Sequence, residues 1–382
     1  MPDTTAPKID TNPHDHKGKP LRLTKAYTNQ EFGRPTVLTD DPYTYVAFHF
    51  INHEKELRYN DQAIKKKYGD PNKYGYRFYW EQSAAFFQAA KQMPVESSPL
   101  ASYYAILNAA KAYISFRSDF IDNFITHFNN HGLSEDRANI GESLHTIGVS
   151  RRERGVFPRF SSMLDGDFDA KWPLGMSRKV DELLYNLAFL HRAYHTTYPS
   201  PPNTTIPELF IPLESGKSPS FHPFTDLKHY LIVEPDRHYE SHGSVSPDLP
   251  DSFEPYQADL SLIKSKAGAV TLADGVSEEM PSLTRKLRQE FQYIKSPVRL
   301  WYLKRTNLDD SRVLNINSMA IIFAVMHRFS EIVRYKPEQL RKLLGSKENW
   351  LIHEFLTLSL DQFVDEIAAE ITGQDIMCTG RK

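Results

Sequence analysis

Cysteine is almost missing. Cys378 is the one thiol in 382 residues, which excludes an intramolecular disulfide framework and fits a reducing compartment. Long apolar runs are missing too: the longest is Met319–Met326, far short of the roughly 20 residues a membrane span needs. Residues 1–20 are polar with no apolar stretch, so the expectation is a cytoplasmic protein with no secretory signal and no membrane partner. Net charge is lacking as well. The 46 Lys and Arg nearly balance 48 Asp and Glu, which argues against a protein that coats polyanions over its whole surface and leaves room for a local basic face. No repeat of 20–50 residues and no low-complexity tract is present. What remains, 40% hydrophobic and 25% charged, is the composition of an ordinary globular chain.

Proline organises the rest. Eleven prolines fall between Pro199 and Pro255; each removes a backbone donor and fixes φ, so no long helix or central strand fits there. The expected organisation is a flexible N-terminal arm (1–40), an N-terminal helical block (41–198), a proline-rich connector with short strands (199–284), and a basic β-hairpin with a C-terminal helical block (285–382). Within the first block, Tyr43–Asn52 has β character, Tyr79–Met93 is helical, and Ser98-Pro99 is a hydroxyl cap followed by proline at the first helical position. Leu100, Tyr103, Tyr104, Leu107, Ala110 and Ile114 then recur at helical spacing, and Ser177 opens a further helix. Strands are expected at His229–Val233, Gln289–Ile294 and Val298–Lys304. Helices are expected from Asn315 to Pro337, over Glu338–Leu344 and over Glu348–Ile371, the last two stopped by Gly345 and Gly373. The fold class is mainly α: two helical blocks packed together, with a small β element and the connector.

Several signatures of chemistry fail on inspection. Gly216-Lys217-Ser218 lacks the earlier glycine of a phosphate loop, where Ile211 stands, and Pro219 obstructs the helix it would need. Asp165, Asp167 and Asp169 have the early spacing of a calcium loop, but Ala170 replaces the turn glycine and Met176 the bidentate glutamate. His191 and His195 share a helix face without the glutamate of a metalloprotease. No G-x-S-x-G elbow exists. No metal or cofactor is expected.

Three features carry more. Residues 285–305 hold seven cations against Glu290 alone. Arg285, Arg288, Lys295, Arg299, Lys304 and Arg305, interleaved with Trp301, form a mixture that binds phosphates and stacks on bases, with RNA favoured over DNA; a hairpin with a basic solvent face and an aromatic core face is the alternative. Arg237 and His242 are spaced to supply a cation and a proton-transfer group to a phosphate. Polar stripes, Asn108/Lys111/Ser115 and His327/Ser330 or Glu331/Arg334, interrupt otherwise apolar helices and could hold an anion between them; amphipathic wet faces are the alternative.

Ser98-Pro99-Leu100 with Tyr103-Tyr104 and Lys111-Ala112 resembles a "PL..YY….KA" segment of the bacterial YaaC-like proteins. His131-Gly132-Leu133 resembles their H-G-L, Gly155-Val156-Phe157 their G-V-F turn, and Arg334-Tyr335-Lys336-Pro337 their R-Y-x-P helix end. The segments come in the family's order. The same helices resemble, more weakly, the HEPN superfamily. These resemblances imply a helical protein that binds a partner protein, a nucleic acid or a nucleotide in a defence or toxin setting, with Lys111, His131, Arg334 and Tyr104 at the site. A protein partner encoded nearby and a homo-oligomer fit that setting. The alternative is a metal-independent HEPN-like ribonuclease using Arg237 and His242.

Overall fold

The computed structural model describes residues 21–28, 36–58, 75–117, 127–200, 208–224, 228–236, 249–272 and 275–380. The chain divides into two compact units: residues 1–40, 206–310 and 373–382 form one, and residues 41–205 and 311–372 the other. Among the described residues the strands are β1 (Val37–Leu38), β2 (Leu133–Ile140), β3 (Ile147–Arg151), β4 (Ser177–Lys179), β5 (Phe210–Pro212), β6 (Ser220–Pro223), β7 (Lys228–Val233), β8 (Phe253–Pro255), β9 (Ile263–Leu272), β10 (Gly275–Val276), β11 (Phe291–Ile294), β12 (Leu300–Lys304) and β13 (Ile376–Met377). The helices are α1 (Pro42–Arg58), α2 (Tyr76–Gln92), α3 (Ser98–Arg117), α4 (Val156–Leu164), α5 (Phe168–Lys171), α6 (Val180–Tyr185), α7 (His191–Thr197), α8 (Glu279–Arg288), α9 (Ser318–Tyr335), α10 (Pro337–Leu344) and α11 (Asn349–Thr372).

The first unit is largely β. Strands β10-β9-β7-β6 lie side by side with β8 also on β9, β11-β12-β5 form a second sheet, and β1 pairs in parallel with β13. The proline-dense window therefore supplies strands of a folded sheet. Pro212, Pro223 and Pro255 each stand at the end of a strand, where a missing N–H costs no internal ladder bond. Leu21 and Leu23, in the stretch expected as an arm, are buried in this unit's core with Leu231, Phe253, Phe291 and Trp301. Their backbone pairs with β6: Phe221 N donates to Leu21 O and Leu23 N to Pro219 O, both at 2.9 Å.

The second unit is mainly helical, with one three-stranded sheet, β2-β3-β4. Helices of both predicted blocks share it: α3 packs against α2, α4, α9 and α11, and Tyr113, Phe157, Phe160, Phe323 and Phe363 stack in its interior. Mainly α thus describes this unit, and the β content of the whole exceeds the small element expected.

Two local expectations are corrected. Tyr43–Asn52 is helical, inside α1. Tyr43, Val46 and Phe50 are its buried residues, a three-and-four spacing that outweighs the β propensity of aromatic and branched side chains. Asp41 caps it, accepting from Thr44 N at 3.1 Å, and Pro42 takes the first helical position. Ser177 starts β4, and the helix begins at Val180. The other long helices follow their signals within a few residues; Asn317 caps α9, accepting from Met319 N at 2.9 Å.

Candidate anion-binding site

Helix α3 presents Tyr103, Tyr104 and Lys111. Tyr103 is fully buried, and its hydroxyl lies 2.6 Å from His131 Nδ1. His131 sits in the tight loop before β2, whose shape depends on two glycines. Gly132 has φ +85° and Gly155 has φ +137°, conformations that side-chain-bearing residues rarely adopt. A Cβ on Gly155 would stand 2.4 Å from Gly132 N, so the two backbones touch there. The close approach lets Val156 N donate to Asn130 O and Phe157 N to His131 O, both at 3.0 Å. The loop thereby satisfies the first free amides of α4, and the His131 backbone is clamped.

Helix α9 supplies the other wall. His327 is buried, its ring 5.1 Å from that of Tyr103 and 5.8 Å from that of His131. Burial, with His131, Arg334 and Arg328 nearby, pushes its imidazole down to about 3. The ring is therefore neutral, and its 3.7 Å approach to Glu331 is not an ion pair. Nδ1 of His327 has no hydrogen-bond partner. Arg328, also buried, pairs with Glu135 at 2.5 Å and Glu331 at 3.2 Å, and Lys336 pairs with Glu135 as well. Burial alone would raise the Glu135 carboxyl; Lys336 and Arg328 outweigh it and hold it below its ordinary value. Burial pushes Glu331 up despite Arg328.

Lys111 and Arg334 are different. Among the described residues neither forms a close ion pair with a carboxylate, although Arg334 acts electrostatically on Glu331. Lys111 Nζ lies 5.3 Å from the Tyr79 ring centre and 5.5 Å from that of Phe128, and burial pulls its ammonium below the ordinary lysine value. Arg334 donates from Nε to Ser330 O at 3.2 Å and lies 5.1 Å from the Tyr335 ring centre. Both cations act on His131, which burial first, then Arg334 and Lys111, holds below the ordinary histidine value.

The protonation pattern follows from hydrogen bonding. Burial raises the Tyr103 hydroxyl well above the ordinary tyrosine value, so it keeps its proton. Its one hydrogen-bonding partner among the described residues is His131 Nδ1, and a buried O–H must donate. Nδ1 is therefore the acceptor, and the network assigns the ring proton to Nε2 of this exposed residue. Lys111 and Arg334 add an ammonium and a guanidinium, both donors, and the half-buried Tyr104 adds a hydroxyl that donates or accepts.

Of the residues expected at a site, Lys111 and Arg334 both act electrostatically on His131, and Tyr104 lies beside Tyr103, stacked on Phe86 at 5.2 Å. The reading from sequence missed the roles of Tyr103 and of the Arg328–Glu135 pair. The Tyr-Tyr pair eight residues before Lys111 was the available signal for the first; nothing local marked the second. Asn108 spends its amide on Tyr104 O at 2.8 Å and Ser115 is buried, so of that stripe Lys111 alone reaches the site.

The basic stretch 285–305 is placed otherwise. Arg288, Trp301, Lys304 and Arg305 are buried. The Arg288 guanidinium donates to the carbonyls of Thr24, Lys25 and Phe291 and lies 4.0 Å from the Tyr27 ring centre, which leaves it nothing to offer a phosphate. Arg299 donates to Ser218 Oγ at 2.6 Å. Arg285 is exposed and Lys295 half-buried. This is the hairpin with an aromatic core face. Arg237 and His242 lie outside the described residues. No group of three or more potential metal ligands is found among the described residues, and no described helix is long and apolar enough to cross a membrane.

The four segments that resemble the YaaC-like pattern therefore meet at one place: Tyr103 and Lys111 from the first, His131-Gly132 from the second, Gly155 from the third and Arg334 from the fourth. No curated protein and no solved structure matches the chain. The YaaC-like protein family does, over residues 40–371, and the chain belongs to that family.

Proposed function

We propose that this YaaC-like protein binds a phosphate-bearing ligand, a nucleotide or a nucleic acid, at the cluster of Lys111, His131 and Arg334. One relationship carries the reading: Lys111 and Arg334, neither of them in an ion pair among the described residues, both act electrostatically on the exposed His131, which Tyr103 holds at 2.6 Å. Charged groups that crowd one another in a folded protein are favourable where an anion completes them. Tyr104, half-buried, adds aromatic surface on which a base can stack. The Nε2–H tautomer argues against His131 as a general base, since that nitrogen already holds a proton; binding is the chemistry that the arrangement supports.

Calorimetric titration with nucleotides and short RNA tests the reading. Lys111→Met and Arg334→Gln each remove one charged donor and should weaken binding about ten- to a hundredfold, the range of a charge-assisted hydrogen bond. Melting temperatures should stay within a few degrees. Unchanged affinity in both variants overturns the proposal.

A further inference from the structure

We propose that His145, held by Asp181, is a general base that activates water for the hydrolysis of an uncharged carboxylic ester. The proposal goes beyond the anion-binding reading above and does not depend on it.

His145 stands in the turn between β2 and β3. Its side chain is 49% exposed, and its Nδ1 meets Oδ2 of Asp181, on α6, whose side chain is 8% exposed. A carboxylate has no proton to give, so Nδ1–H donates and the neutral ring keeps its lone pair on Nε2. This tautomer is the reverse of the one at His131, where a hydroxyl donates to Nδ1. A free lone pair is the form that a base requires. Among the described residues His145 makes no other hydrogen bond.

The surroundings fix this ring. Leu144 N donates to Glu348 Oε2 at 3.0 Å, Asp181 N donates to Leu144 O at 3.3 Å, and Gln339 Nε2 donates to Gly141 O. The Tyr198 ring, just after α7, lies 4.5 Å from the imidazole, and its hydroxyl donates to the buried Glu348. An exposed histidine needs none of this for stability, whereas a catalytic imidazole needs rigid support.

Asp181 is the costly part. Its Oδ1 is buried and has no hydrogen-bond partner among the described residues. A buried carboxylate oxygen left unpaired lowers stability, and a well-packed apolar residue in its place would not carry that loss. Orienting an imidazole and stabilising its protonated form does require the carboxylate.

No serine, threonine or cysteine among the described residues hydrogen-bonds to Nε2, so the proton comes from water rather than from a nucleophilic side chain. Nε2 takes a proton from water as the water oxygen adds to the ester carbonyl carbon. The imidazolium, held by Asp181, returns that proton to the departing alkoxide as the C–O bond breaks. Ester and water become acid and alcohol, and His145 is restored. The charged group in contact with the imidazole is a carboxylate, so an anionic substrate meets like charge there and an ester carbonyl does not. Lys347, the cation of this region, lies instead 4.9 Å from the Tyr198 ring centre.

The probe is p-nitrophenyl acetate, hydrolysed by the full chain at pH 8 and followed through the released nitrophenolate. His145→Gln, at an exposed position, should keep its melting temperature within a few degrees and lower the rate about a hundredfold, the low end of what a general base contributes. His353→Gln, on α11, controls for histidine in general and should leave the rate unchanged. Asp181→Asn removes the orienting charge and should lower kcat at least tenfold with KM within twofold. Nitrogen-detected NMR of the native chain should show a protonated Nδ1 and a bare Nε2 at His145, and the Asp181→Asn variant a mixture. The native tautomer is read without any variant, so it decides the geometry even where Asp181→Asn fails to fold. A native ring protonated on Nε2, hydrolysis no faster than in buffer, or an unchanged rate in His145→Gln each overturns the proposal.

Discussion

The Tyr103 hydroxyl, buried in the middle of a helix, reaches across 2.6 Å to Nδ1 of His131 in a surface loop. That contact joins the core of the helical unit to an exposed histidine, and a buried hydroxyl that donates there leaves the ring proton on Nε2.

Tyr103→Phe removes the donor and leaves Nδ1 of His131 buried against a ring. The imidazole is then released from the Nε2–H tautomer. Nitrogen-detected NMR of the histidine rings should show a protonated Nε2 and an acceptor Nδ1 at His131 in the native protein and a mixture in the variant. Phosphate affinity should drop about threefold to tenfold, since a positioned donor is lost rather than a charge. An identical tautomer in the variant would show that Tyr103 does not decide it.

Gly155→Ala should be severely destabilising. Its φ of +137° is strained for any side chain, and the added Cβ would stand 2.4 Å from Gly132 N, backbone that cannot swing away. Strain of this kind costs about 1–3 kcal/mol before the clash is counted. Gly175→Ala is the control: φ is +82° there too, but nothing lies within 4 Å of the new Cβ. Thermal unfolding should show a clearly larger loss for Gly155→Ala, together with lost phosphate binding.

His327 predicts how the stability of the helical unit depends on pH. Its folded-state value of about 3 lies below the 6.5 or so of an unfolded chain. Between those values the unfolded state takes up a proton that the folded state refuses, so stability falls as pH drops from about 6.5 towards 3, by about 1.4 kcal/mol for each unit of the gap crossed. His131, also depressed, adds in the same direction. His327→Leu removes the larger contribution and should flatten the acid side of a stability–pH profile measured by denaturant unfolding. An unaltered profile would mean that His327 titrates normally.

Arg288 and Arg285 make a contrast within one helix. Arg288→Ala leaves three carbonyls without donors in a buried site and should cost about 3 kcal/mol or more. Arg285→Ala, at an exposed position, should change stability by less than about 0.5 kcal/mol. Paired thermal melts check this. A stable Arg288→Ala with reduced RNA affinity would instead return the 285–305 stretch to the role of a nucleic-acid surface.

Much of this protein was legible because its signals are local. Ser98-Pro99 starts α3, Asn317 caps α9, Gly345 follows α10, and helical spacing marks each buried stripe. The failure at Tyr43–Asn52 is instructive, because Asp41-Pro42 is the same kind of start signal as Ser98-Pro99. Aromatic and branched composition hid it, and composition is the weaker guide where one face is buried. The stretch 285–305 failed for another reason: a count of charges does not say where they point. Arg288 and Lys304 are as basic as Arg285, yet both are buried, and the Arg288 guanidinium is spent on backbone carbonyls.

By itself the sequence determined most of the long helices, the resemblance of four segments to one family, and the three residues on which a ligand reading could rest. These depend on neighbours within a turn or two, or on order along the chain. Only the tertiary structure decided that Arg328 and Lys336 form ion pairs with Glu135 while Lys111 and Arg334 form none among the described residues, and that Tyr103 meets His131. Those facts depend on Tyr103, Glu135 and Gly155, brought together from distant parts of the chain. Electrostatic and hydrogen-bond energies follow distance in space, and separation along the sequence does not report it.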